Sequence, residues 1–423
     1  MSLPTRDTIF ALSSGLPPAG IAVVRISGPE AGPVLDRLAG KRPVPRRASY
    51  GALRDEQGAL LDQALILWFP GPATATGEDL AELHLHGGRA VVAAVLGAIG
   101  QVGGARPAEA GEFTRRAFEN GRIDLSEAEG LADLLASETE AQRRSAMALA
   151  EGGLGRRVEL WQKALLQLSA RLEAALDFSD EGDVGEVEGV DGDVAALARE
   201  MASLLAEPGA ERLRDGVRIV LAGSPNSGKS SLFNVLSDRE AAIVSDMAGT
   251  TRDRIEALVA LDGVPLVLID TAGLRESDDA IEAIGVARAE EAMASADLIL
   301  WLGDVSDAPG GAIVVAAKSD LGNSQPGLPV SAETGEGIAA LKDELLKRAR
   351  EILPRPGALA LNRRHKTILL EVQDSLERAA NAPDPLIVAE HLRRARNHLD
   401  RLTGRASVED MLDALFGSMC IGK

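Results

Sequence analysis

Apolar positions along this chain change their rhythm twice. Up to about residue 118 they alternate over short runs, so residues 8–12, 20–26, 64–69 and 80–86 are predicted strands and 90–101 a helix. Pro17-Pro18, Gly28-Pro29 and Pro70-Gly71-Pro72 punctuate those runs. From about residue 126 the pattern is helical: Val158, Trp161, Leu165, Leu168, Leu172 and Ala175 recur at 3-4-3-4-3 spacing. That spacing predicts an apolar seam on a bundle helix, with Trp161 in the core. Further helices are predicted over 194–205, 363–380 and 387–402. Between 215 and 350, strand, loop and helix alternate, with buried strands over 217–222, 265–269 and, as the third, 312–316. Two isolated helical halves cannot bury their stripes separately, so the α/β segment is predicted to be inserted into one helical domain. The expected division is 1–118 as an α+β domain, 119–214 as the first helical part, 215–350 as the inserted α/β domain, and 351–423 as the second helical part with a C-terminal tail.

Composition narrows the class. A chain of 423 residues has material for two to four domains. Its 45 Lys and Arg against 64 Asp and Glu leave a net charge of −19, which argues against tight nonspecific binding to nucleic acid by this chain alone. Arg393, Arg394, Arg396, His398, Arg401 and Arg405 form a local basic exception, read either as a solvated face or as a surface for RNA phosphates. The acidic run from residue 177 to 193 carries eight carboxylates and no base, and reads as a solvated loop rather than a metal site. Cys420 is the one cysteine, so no internal disulfide is possible and a reducing cytoplasm is expected. No signal-peptide pattern or membrane-spanning apolar run is present, and a soluble, cytoplasmic protein is expected, with no membrane partner. His84 and His86 share one strand face without a cysteine or third histidine nearby, which favours a structural or ligand-lining role over metal.

The mid-chain carries the chemistry. Gly223-Ser-Pro-Asn-Ser-Gly-Lys-Ser230 follows the strand at 217–222 and fits G-x-x-x-x-G-K-[ST], a loop whose amides, Lys229 and Mg²⁺-holding Ser230 would cradle nucleotide phosphates. Gly249-Thr-Thr-Arg-Asp253, Asp270-Thr-Ala-Gly273, Lys318-Ser-Asp320 and Ser331-Ala332 follow in the order of a nucleotide-binding domain. Asp320 can accept from guanine N1–H and the exocyclic amine, which points to GTP over ATP, while Ala317 stands where the base motif has asparagine and removes a contact. Contacts to the nucleotide are expected from Asn226, Ser227, Gly228, Lys229, Ser230, Ser231, Ser245, Gly249, Thr250, Thr251, Asp270, Thr271, Ala272, Gly273, Lys318, Asp320, Ser331 and Ala332. Leu274 occupies the place where many small GTPases put a water-orienting glutamine, and no arginine finger is identifiable. Asn226 could instead hold a monovalent cation near the β–γ bridge, with oxygens of the loop 245–250, and Glu282 could position the water or be a plain surface carboxylate.

Gly-x-Pro-Asn-x-Gly-Lys-Ser-Ser at 223–231, Asp246-Met-Ala-Gly-Thr-Thr-Arg-Asp253, Asp270-Thr-Ala-Gly-Leu-Arg-Glu276 and the terminal Cys420-Ile-Gly-Lys423 together resemble the MnmE (TrmE) family of tRNA modification GTPases. The segments at 20–28, 82–88, 111–118 and 122–125 match its N-terminal region, so the resemblance covers nearly the whole chain. It implies a K⁺-activated GTPase with an N-terminal tetrahydrofolate-binding domain, a helical domain and an inserted P-loop G domain. It implies a homodimer that joins the FAD-dependent MnmG (GidA) in a heterotetramer or larger assembly and modifies C5 of the wobble uridine of certain tRNAs. The family's K⁺ ligands fall on Asn226, Ser245, Met247 and Thr250, its Mg²⁺ ligands on Ser230 and Thr251, and its water-positioning glutamate on Glu282. Its folate contacts fall on Arg25, Glu82, Arg122 and Lys423, and Cys420 becomes a candidate nucleophile beside the catalytic Glu282 and Lys229. The stretch 304–318 is shorter than in relatives, which implies one G-domain helix fewer. A regulatory GTPase of ribosome assembly, and a folate enzyme with a vestigial G domain, are the rival readings; the N-terminal motifs count against the first and intact Lys229, Thr251 and Asp270 against the second.

Overall fold

The computed structural model describes residues 7–177, 189–237, 256–271, 289–322, 326–355, 357–405 and 409–422. The chain divides into two compact units: residues 1–132 with 400–423, and residues 133–399.

In the first unit, β1 (Thr8–Leu12), β2 (Ile21–Ser27), β3 (Ser49–Arg54), β4 (Leu60–Phe69), β5 (Leu80–His86) and β6 (Ala105–Pro107) form a mixed sheet in the order β3-β4-β5-β2-β1-β6. Ala22, Val24, Ile26, Leu83, Leu85, Ile66 and Trp68 alternate onto one face, where helices Ala31–Ala39 and Arg89–Gly100 cover them with Val34, Leu35, Val95 and Ile99. The intervening positions, Val23, Arg25, Glu82, His84 and Leu65, lie on the other face and retain solvent access. Helix Glu112–Glu119 is tied to the start of β1 by Arg116, which is buried and bonds Asp7, Glu78 and Glu112. Helix Glu409–Gly417 packs Leu412 and Phe416 against Leu125 and Ala128. The strand β3 and the helices at 31–39 and 112–119 are additions to the sequence reading, where Gly32, Pro33 and Gly51 mask the periodicity.

The second unit holds the long helices and the α/β layer. Val158, Trp161, Leu165, Leu168 and Leu172 of helix Gly153–Asp177 are buried, while Ala175, the sixth seam position, is half-buried near the helix end. Helix Val190–Leu205 packs on Arg363–Ala380, so helical segments before and after the α/β layer pair with each other. The first of these starts four residues earlier than the predicted 194, because Asp191 and Asp193 sit in its first turn, where carboxylates favour the helix dipole. Residues 178–188, most of the acidic run, lie outside the described residues.

Strands β7 (Val217–Gly223), β8 (Glu256–Leu261), β9 (Val264–Asp270), β10 (Leu298–Leu302), β11 (Ile313–Ala317) and β12 (Leu328–Val330) run β12-β11-β10-β7-β9-β8, parallel except for β8. The strand read as third from the sequence is therefore preceded by another, β10. Its Leu-Ile-Leu-Trp-Leu run directly follows an Ala/Glu-rich segment of helical period, which blurs the change of rhythm. Between β10 and β11 stands only the 3₁₀ turn Val305–Asp307, in keeping with the short 304–318 segment. Among the described residues no helix is long and apolar enough to cross a membrane.

Candidate functional site

In a parallel sheet, ligands meet the carboxyl ends of strands where the winding direction reverses, here between β7 and β10. The glycine-rich loop lies at that point. Gly223 ends β7 at φ 140°, and a Cβ on it would stand 2.1 Å from the Leu302 carbonyl oxygen, so only glycine lets the loop pass over β10. Asn226 holds a left-handed φ of 58°, and helix Lys229–Ser237 starts directly after Gly228, aiming its first amides into the loop as an anion site requires. Lys229 is buried, and its ammonium donates to the carbonyls of Gly223 (3.2 Å) and Ser224 (2.8 Å). Ser227 Oγ is buried and unpartnered. Ser230 donates to Asp270 Oδ2 at 2.7 Å, joining the helix start to the end of β9. One hydroxyl and one carboxylate oxygen side by side are the hard donors that Mg²⁺ takes, so these residues fit the expected ion. Thr271 is locked by its hydroxyl to the Leu221 carbonyl at 2.8 Å.

A cavity of about 530 Å³ opens beside the loop, lined by Gly228 and Ser231 on one side and Ala317, Lys318, Asp320 and Ala332 on the other. Lys318 takes a left-handed φ of 59° and donates to the main-chain carbonyl of Asn226 at 2.8 Å, tying the end of β11 to the phosphate loop. Ser331 is buried; its N–H donates to Glu336 O and its hydroxyl accepts from Thr334 N, which fixes the turn that presents Ala332. The structure thus brings together Asn226, Ser227, Gly228, Lys229, Ser230, Ser231, Asp270, Thr271, Lys318, Asp320, Ser331 and Ala332. Ser245, Met247, Gly249, Thr250, Thr251, Ala272, Gly273 and Glu282 lie outside the described residues, as does Leu274.

The N-terminal unit holds a second constellation. Arg25 and Glu82 are direct partners in the β2–β5 register, and Arg25 donates through Nε (3.0 Å) and Nη2 (2.8 Å) to Glu82 Oε1. Their side chains keep 24% and 19% exposure, so the pair is reachable by a ligand. Glu82 Oε2 lies 3.5 Å from His84 Nε2, and the Arg25 guanidinium sits 5.9 Å from the ring centre of buried Phe113. Arg122 is held by the Thr74 carbonyl at 3.1 Å. His86 turns to Asp62 instead, with its ring nitrogen at 2.7 Å. Burial works to raise the Asp62 carboxyl, but the His86 main-chain and ring hydrogen bonds outweigh it and hold it below its ordinary value.

The C-terminal tail folds onto this same unit. Gly111 N–H donates to the Cys420 carbonyl at 3.4 Å, and Ile421 bridges Ala110. Gly422, at φ 92°, comes so close that a Cβ would lie 2.2 Å from the Leu12 carbonyl oxygen. In the β1–β2 register Leu12 is one step from Ala11, the partner of Arg25. Cys420 itself is exposed, and Lys423 lies outside the described residues. Phe113 was missed as a site residue by sequence reasoning although its motif at 111–118 stood out; nothing in a short segment says that a ring will lie under a side chain from another strand. The basic stretch of helix Pro385–Leu402 is partly neutralised within itself: Arg393 and Arg394 both bond Glu390, whose carboxyl they push down to about 2.

Two family models match the chain, the MnmE helical domain over residues 125–420 and the GTP-binding protein TrmE N-terminus over residues 8–122. A tRNA modification GTPase MnmE from Rhizorhabdus wittichii is 59% identical, the match covering 99% of this chain and 97% of that protein. Its counterpart from Novosphingobium aromaticivorans is 56% identical over 99% of this chain and 100% of its own length. Among solved structures, the G domain of the T. maritima FeoB iron transporter is 26% identical over 31% of this chain and 98% of that one, with a TM-score of 0.24.

Proposed function

The chain belongs to the tRNA modification GTPase MnmE family, a GTP hydrolase acting in tRNA modification, and we propose that its hydrolysis is K⁺-activated and serves a folate-dependent alteration of the wobble uridine. The observation that carries the hydrolase reading is the junction of Lys229, Ser230 and Asp270 where β7 and β9 end. Amides of the phosphate loop and the Lys229 ammonium bind the β- and γ-phosphates, and Ser230 with Thr251 would hold Mg²⁺. Asn226, whose main-chain carbonyl is committed to Lys318, has its side-chain oxygen left for K⁺, with Ser245, Met247 and Thr250 as the other ligands. Such a cation supplies the positive charge that an arginine finger brings elsewhere. Glu282 positions the attacking water in place of Leu274.

For the modification chemistry the support is the packing of the tail on Leu12 of β1, the strand beside the one that bears Arg25. Glu82 is suited to accept from the pterin amine and ring N–H groups, and Arg25 and Arg122 to face its carbonyl or anionic oxygens, with Lys423 as the fourth expected contact. Cys420 would act as nucleophile toward uridine C6 or the folate adduct. An FAD-dependent partner, MnmG, completes the enzyme in a heterotetramer or larger assembly with a homodimer of this chain, in the cytoplasm. The four-part division at 118, 214 and 350 is retained as part of this proposal.

Phosphate release in matched KCl and NaCl tests the cation. Loss of one strong electrostatic donor costs about 3 kcal/mol, so K⁺ should raise turnover on the order of a hundredfold. Equal rates in the two salts at one ionic strength would refute it. Mass spectrometry of wobble nucleosides from a deletion strain, with and without this chain restored, tests the substrate.

A further inference from the structure

The base pocket offers unequal chemistry to the two edges of a guanine. Asp320 presents a carboxylate, which accepts from N1–H and the exocyclic amine. Guanine O6 and N7 are acceptors and need donors. At position 317, the last residue of β11, the pocket wall is a methyl group. A Cβ built on Gly228 would lie 3.8 Å from the Ala317 Cβ and equally far from the Lys318 Cε, so this methyl faces the phosphate loop with the Lys318 stem beside it. The nearest ammonium, on Lys318, is spent on the Asn226 carbonyl at 2.8 Å. The neutral side-chain donors of the lining, Ser231 and Asn234, both stand on helix Lys229–Ser237, which opens from the phosphate loop. The main-chain N–H of Ala332 can serve O6, and among the described residues position 317 offers N7 no side-chain donor.

We propose that Ala317 makes this pocket blind to N7: the chain selects guanine through the N1–H and amine edge and through main chain, and accepts guanine nucleotides altered at position 7. The proposal rests on the reading of this cavity as the guanine site, and adds to it which part of the base goes unread. An asparagine at 317 would carry an amide NH₂ at the pocket wall, long enough to reach an acceptor where alanine is not.

The test compares GDP with 7-deaza-GDP, which has the same shape but a C–H in place of the N7 acceptor, by calorimetry on the full chain. The native chain should bind the two within twofold of each other. Ala317→Asn should bind GDP on the order of fivefold more tightly, the worth of one added hydrogen bond, and should lose that gain with 7-deaza-GDP. A native chain that binds 7-deaza-GDP fivefold or more weakly than GDP would overturn the proposal, because another group would then be reading N7. An Ala317→Asn variant that gains equally for both nucleotides would overturn the assignment to residue 317. The native comparison needs no folded variant. Failure of the native chain to bind GDP at all would instead overturn the reading of the cavity on which the proposal rests.

Discussion

Two glycines and two charged residues define the N-terminal site at the level of single side chains. Gly111, at φ 66°, and Gly422 both stand where a Cβ would strike a carbonyl oxygen at 2.2 Å, so each permits a close backbone approach that docks the tail. Exposed Cys420 lies between those contacts. A serine there keeps the shape and removes the nucleophile, so Cys420→Ser should abolish wobble modification and leave GTP hydrolysis at the native rate. Nucleoside analysis and phosphate release on the same preparation check this, and normal modification would leave the thiol a packing role. Glu82 takes Arg25 on one oxygen and leaves the other toward His84, within reach of a ligand's N–H groups. Calorimetry with 5-formyltetrahydrofolate should therefore give binding heat that disappears in Glu82→Ala; an unchanged isotherm would remove Glu82 from the ligand site.

Elements are held by polar residues that the hydrophobic pattern does not reveal. Gln142, in helix Glu140–Ala150, accepts from Thr139 N at 2.8 Å in a capping box and donates to the Arg214 carbonyl at 3.0 Å. Arg214 precedes β7, and the neighbouring Ala141 N–H donates to Gly263 O at the tip of the β8–β9 turn. One helix start thus grips two strands whose far ends carry the phosphate loop and Asp270. Gln142→Ala strands the part-buried Arg214 carbonyl and a buried cap amide, and should cost about 2 kcal/mol of stability in denaturant unfolding. A change below a few tenths would show that the grip contributes nothing. In the first unit, burial works to raise the Glu112 carboxyl, yet Arg106, the Glu109 N–H and Arg116 hold it below its ordinary 4.5. A depressed carboxylate stabilises the fold above the unfolded pKa, and that stability is lost as pH falls through the folded value. Unfolding midpoints should be flat above pH 5 and fall below pH 4, roughly the range of free carboxylates, and Glu112→Gln should flatten that acid limb while lowering the plateau.

At the scale of the whole molecule, the open face of the N-terminal sheet bears Ile21, Tyr50 and Leu65, at 63%, 70% and 45% exposure, with Tyr50 and Leu65 paired across β3 and β4. Tyr50 and Leu65 are adjacent, while His84 and His86 of β5 separate them from Ile21; exposed apolar side chains on a sheet face mark an association surface, which suits the expected homodimer. Leu65→Glu should halve the mass measured by sedimentation at micromolar concentration; an unchanged mass would place the contact elsewhere. Much of the α/β layer was legible before folding, because the phosphate loop, Asp270-Thr271 and Lys318-Ser-Asp320 are runs of neighbours whose chemistry depends on local turns. The seam of helix Gly153–Asp177 was legible for the same reason, since a helix fixes its own period. Strand β10 was not, because its five apolar residues directly follow an Ala/Glu-rich segment of helical period that hides the change of rhythm. Local motifs in the chain are enough to mark candidate residues for a phosphate, a base and the proposed folate. Folding alone makes Arg25 and Glu82, 57 residues apart, face each other, brings Gln142 to Arg214 72 positions on, and sets Gly422 on Leu12. Those meetings depend on strand register and on backbones packed to contact, and neither is encoded in any short stretch of the chain.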